Sequence, residues 1–69
     1  MSVDEQVVGR TGVVTHPIAP DKPGEVVVHI RGGTEVYMAY SDEVLAEQAT
    51  VLIVGQRTAR TVEVTGFLT

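Results

Sequence analysis

His16, His29 and the adjacent pair Ser41-Asp42 are the residues of this chain whose types could carry chemistry. Two imidazoles without a third ligand make a weak metal site, and the absence of cysteine removes thiolate ligands and a catalytic thiol together. Ser41, His29 and Asp42 include the residue types of a hydrolytic triad. No G-x-S-x-G turn surrounds Ser41, however, and a serine followed by acidic residues reads as a cap. Gly32-Gly33 lacks the Lys and Ser or Thr that follow a phosphate-binding loop, and no helix begins there, so it reads as a turn. The expectation is a protein with no catalytic residue, no metal site and no cofactor, acting as something other than an enzyme.

The charge narrows the partners. A formal net charge of −4 argues against a polyanion, since neutralising phosphates takes several clustered cations. Arg10, Arg31, Arg57 and Arg60 would all have to gather on one face to reverse that expectation. No apolar run approaches the roughly 20 residues that span a bilayer, and residues 1–6 are acidic rather than a basic leader, so the chain as given is expected to be soluble and not to insert into a membrane by itself.

Positioning any site falls to short strands. With 69 residues the chain holds one domain, residues 1–69, with 1–5 expected as a flexible lead. Residues 6–15 read as a first strand carrying Val7, Val8, Val13 and Val14. Gly9 and Gly12 inside it mark a bulge or a close backbone approach, as needed where one strand pairs with two neighbours. All three prolines fall in 16–24, which must therefore be a loop. In the second strand, 25–30, alternation puts Val26, Val28 and Ile30 inward. A tight Gly-Gly turn leads to a third strand, 35–40, whose Val36, Met38 and Tyr40 are as apolar as Tyr37 and Ala39, so that alternation leaves its faces open; Tyr37 and Ala39 are read as the inward pair. Residues 41–48 have the look of one or two helical turns, with Ser41 as cap and acidic residues in the first turn. A fourth strand follows at 51–55, a turn at 56–60, and a fifth strand at 61–65 with Val62 and Val64 inward. The fold class expected is all-β: a small five-stranded OB-type barrel with a short helical turn between strands 3 and 4, its main competitor being an SH3-like barrel.

The succession Val8-Gly9-x-x-Gly12-Val13, Pro20, Gly24-x-Val26-x-Val28, Gly32 or Gly33, Ala39-x-Ser41, Val51-x-Ile53-Val54 and Val62-x-Val64 resembles the soluble C-terminal domain of NfeD-like proteins. The likeness runs from Val7 to about Val64, and its weight lies in order and spacing. Tyr37 stands where that family often has tryptophan, and the glycine that commonly precedes the fourth strand is replaced within Glu47-Gln48-Ala49-Thr50. Such proteins generally carry the domain after membrane helices, and longer forms add a serine protease domain. This chain would then be either that domain by itself or a free-standing form of it.

The resemblance implies an OB-fold module of membrane-associated proteins that work beside stomatin- or flotillin-like partners in membrane organisation or quality control. It would lie on the cytoplasmic side of the membrane if tethered, and in the cytoplasm otherwise. The role implied is protein interaction; the family lends no catalytic or cofactor residue. The chain's own candidates for partner binding are Val27, Leu52, Phe67 and Leu68, apolar residues left outside the expected core. Single-stranded nucleic-acid binding is the alternative, as the commonest use of OB folds. It would require bases to stack on Tyr37, Tyr40 and Phe67 in a basic groove, against Glu25, Glu35 and Glu63 on the flanking strands. Weak self-association is a third reading.

Overall fold

The computed structural model describes residues 7–30 and 32–67. It contains β1 (Thr11–His16), β2 (Gly24–Ile30), β3 (Gly33–Tyr40), β4 (Thr50–Thr58) and β5 (Thr61–Gly66), joined in a closed barrel in the order β1-β2-β3-β5-β4. The expected lead at 1–5 and Arg31 lie outside the described residues.

Alternation of aliphatic residues fills the barrel as read from the sequence. Val26 and Val28 are fully buried and Ile30 nearly so, Tyr37 and Ala39 turn inward from β3, and Val62 and Val64 turn inward from β5. Val14, Val51 and Ile53 complete the wall, with Ile18 and Leu45 packed in from the connections. No charged or polar residue is buried among those described, so transfer of aliphatic surface out of water, at about 1.5–3 kcal/mol per side chain, is what holds the barrel together.

β1 does pair with two neighbours, Gly12 standing opposite Val28 of β2 and Val51 of β4. A Cβ on Gly12 would lie 2.9 Å from the Val27 carbonyl oxygen, which is the close approach expected of that glycine. The strand itself starts later than residue 6. Gly9 takes φ +96°, and the Arg10 N–H donates to the Val7 carbonyl at 3.1 Å, so 7–10 form a turn that leaves Val7 buried and Val8 exposed.

Two further expectations change. Residues 41–48 are not helical. The Leu45 N–H and C=O both bond to Ile18, at 2.8 and 2.9 Å, and a helix would have sent that N–H to Ser41. Ser41 still caps, its hydroxyl oxygen accepting the Glu43 N–H at 3.1 Å in a local turn. β4 runs on to Thr58 where a turn at 56–60 was expected. Register shifts at 53/55 and 56/58 let its ladder with β5 continue until Thr58 faces Thr61.

Candidate docking surface

Residues that alternate outward on neighbouring strands fall into register with one another. Val13 of β1 is opposite Val27 of β2, and Val27 is opposite Val36 of β3. On the other side Val13 faces Thr50 of β4, whose carbonyl accepts the Phe67 N–H at 3.1 Å. The row Phe67, Thr50, Val13, Val27, Val36 therefore crosses β4, β1, β2 and β3 and begins one residue beyond the end of β5, spanning about 19 Å at ~4.8 Å per strand. Val13, Val36 and Phe67 are 36, 46 and 40% exposed, and Met38, two positions beyond Val36, is 49% exposed. Val27 is partly covered by the valines on either side. Leu52, also partly covered, lies two positions from Thr50 and faces Thr11 and Thr65.

Three of the four residues singled out in the sequence thus belong to one surface, and Leu68 lies outside the described residues. Val13, Val36 and Met38 were missed, although a signal for them existed. Burying Tyr37 and Ala39 necessarily turns Val36 and Met38 outward, and burying Val14 does the same for Val13.

A polar rim borders the band. Outward from Val27 along β2 stand Glu25 and His29. The Thr15 hydroxyl donates to the Glu25 carboxylate at 2.7 Å, and His16 Nδ1 lies 3.0 Å from it. The Thr15 hydrogen bond chiefly holds the Glu25 carboxyl below its ordinary range, with a lesser contribution from His16 and some opposition from burial. An aliphatic centre with hydrogen-bonded polar edges is the usual anatomy of a protein-binding patch.

The residues that could have done other chemistry are scattered. His16 meets Glu25, whereas His29 stands four positions along β2, about 13 Å away at strand rise, opposite Thr34. Ser41 is spent on the Glu43 amide. Among the described residues no group of three His, Cys, Asp or Glu could hold a metal ion. A cleft of about 310 Å³ lies between the 41–43 turn and β4–β5, lined by Tyr40, Glu43, Arg57, Glu63 and Thr65 among others. Most of its polar side chains are already engaged with each other or with nearby backbone. Arg57 Nε donates to Glu63 at 2.7 Å with its guanidinium 4.2 Å above the Tyr40 ring, and Glu43 accepts from the Thr65 hydroxyl and the Gly66 N–H.

A five-stranded closed barrel whose β3 pairs parallel with β5 and whose β1 pairs with both β2 and β4 is an OB fold, not an SH3-like barrel. The profile of the NfeD C-terminal domain matches residues 11–65, and the chain belongs to that family. The soluble domain of the NfeD protein YuaF from Bacillus subtilis is similar, with 33% identity and a TM-score of 0.72 over 84% of this chain and 70% of that one. The C-terminal domain of stomatin operon partner protein 1510-C from Pyrococcus horikoshii shares the fold, at 22% identity and a TM-score of 0.64 over 91% of each chain. No curated protein sequence matches significantly.

Proposed function

We propose that this NfeD C-terminal domain is a protein-interaction module, acting by binding rather than catalysis in a membrane-associated protein and docking a stomatin- or flotillin-type partner at the cytoplasmic side of the membrane. The observation that carries the reading is the row Val13, Val27, Val36, which Thr50 and Phe67 extend across β4. Three valines aligned across neighbouring strands form a continuous patch, unlike the isolated exposed residues found on any surface. Family membership supports the membrane-protein setting, and the printed name of the Pyrococcus protein supports the choice of partner. The nucleic-acid alternative loses support from the side chains it would need. Tyr37 is buried, Tyr40 lies under Arg57, and Arg57 and Arg60 are each paired with a glutamate.

Calorimetric titration of the domain with the purified stomatin- or flotillin-type protein of the same genome tests the proposal. Binding in the micromolar range is expected, weakened at least about tenfold by Val13→Glu or Phe67→Ala. Absence of binding, or binding that both variants leave unchanged, overturns it. Tight, salt-sensitive binding of a labelled single-stranded oligonucleotide would instead favour the alternative.

A further inference from the structure

We propose that β3, over residues 33–37, takes up an extended segment of a partner protein as an added strand, so that docking on the aliphatic band includes main-chain pairing. β3 pairs with β2 along 33–39 but with β5 only along 38–40. Met38 donates its N–H toward β5, to the Arg60 carbonyl at 2.9 Å. Backbone groups alternate in direction along a strand, so the N–H and C=O of Thr34 and Val36 point to that same side, where no described strand runs beside them.

Natural sheets guard such edges with proline, a bulge or a charged side chain; residues 33–37 carry neither proline nor a bulge, and Glu35 is their one charge. The register of β3 on β2 is unbroken, and its outward residues are Thr34, Val36 and Met38. The nearest charges, Glu35 and Arg60, form an ion pair of 3.3 Å, and Glu35 shares the strand parity of inward-turned Tyr37 rather than that of Val36. An added strand would place its own alternate side chains next to Val36, lengthening the row Val13–Val27–Val36 by one residue.

The chemistry of the occupant follows from the edge and the charge. Paired backbone requires an extended chain, and continuation of the row requires Val, Ile or Leu at every second position. The net charge of −4 disfavours a second copy, and Glu35, on the face that the positions between would share, favours a Lys or Arg among them. This inference rests on the docking reading and adds to it the mode of recognition.

The test uses the 15N-labelled domain and an acetylated, amidated peptide alternating lysine and valine over seven residues. The expected result is a dissociation constant on the order of 100 µM, as suits so small an interface, with shift changes and slowed hydrogen exchange at the Thr34 and Val36 amides. The same peptide N-methylated at alternate backbone positions is expected to bind at least about tenfold more weakly, as is the unmodified peptide to Val36→Lys, an exposed substitution that leaves the barrel folded. Equal binding by the N-methylated peptide, perturbations centred elsewhere, or no binding overturns strand addition. The same amide changes on concentrating the domain alone would assign the edge to a second copy and overturn the heterologous partner. Should the stomatin- or flotillin-type protein bind through Val13 and Phe67 while leaving the Thr34 and Val36 amides unprotected, the docking reading stands and strand addition fails.

Discussion

The two ends of the seam between β3 and β5 are built in opposite ways. At the end where β3 finishes, the segment 41–48 folds back over the barrel. Glu43 accepts from Thr65 and from the Gly66 N–H, Leu45 is buried, and the Leu45–Ile18 bridge ties the segment to the loop after β1. At the end where β3 begins, residues 33–37 have β2 on one side and only the tip of the β4–β5 hairpin near the other. Three residue pairs join β3 to β5, and the rest of the closure is made by side chains and a loop at one end and, among the described residues, by no more than the exposed Glu35–Arg60 ion pair at the other. Strand pairing alone therefore does not account for the barrel's stability. The sealed end should be sensitive to substitution, and the open end should tolerate it.

The largest effect is expected at Gly24, which pairs with Ala39 at the sealed end. A Cβ there would lie 2.2 Å from the His16 carbonyl oxygen and 2.3 Å from that of Pro17. Both obstacles are backbone, one at the end of β1 paired to β2 and the other in the loop held by the Ile18–Leu45 bridge, so neither can rotate away. Gly24→Ala is expected to cost more than about 3 kcal/mol, a large part of what a domain of this size has, and urea unfolding followed by circular dichroism would measure it. A loss below about 1 kcal/mol would mean that the sealed end is loose and the contrast mistaken.

An intermediate effect separates two glutamates. Glu43→Ala leaves the Gly66 N–H and Thr65 hydroxyl without their acceptor and is expected to cost about 1 kcal/mol, limited by access of water to the site. Glu35→Ala at the open end removes an exposed ion pair with Arg60 and should stay within about 0.5 kcal/mol. Equal losses at the two positions would erase the distinction between the ends.

How legible this was in the sequence follows the same division. The inward residues of β2 and β5 could be read directly, because period-two alternation reports the face of a strand regardless of where it pairs, whereas 36–40 of β3 are apolar on both faces and alternation there does not choose between them. The segment 41–48 could not. Its serine and acidic residues are compatible with a helix start and with a turn, and what excludes the helix is a bond from Leu45 to Ile18, 27 positions away, which no local pattern encodes. Val27, Leu52 and Phe67 were recognisable singly as apolar residues outside the core. Their alignment with Val13 and Val36 depends on cross-strand register, fixed by the bulge between Val14 and His16 and by the length of the β2–β3 turn. The open edge was invisible because it consists of backbone.

A further effect, smaller than that at Gly24, tests how the sealing segment was made, and its sign is opposite to the others. Gln48 has φ +81°, the only left-handed non-glycine residue among those described, and its N–H donates to the Val14 carbonyl at 2.8 Å just before β4 begins. It stands within the stretch where the sequence resemblance leads to the expectation of a glycine. A side chain in that conformation costs about 1–2 kcal/mol through its Cβ, whereas glycine adds about 0.4–1 kcal/mol of unfolded-state entropy to be lost. Gln48→Gly should therefore stabilise the domain by roughly 0.5–1 kcal/mol, or raise its Tm by about 3–6 °C in a calorimetric scan. An unchanged or lowered Tm would show that the Gln48 side chain offsets its backbone strain. The left-handed turn before β4 would then be a feature this chain supports by other contacts, rather than one it tolerates for the sake of the bond to Val14.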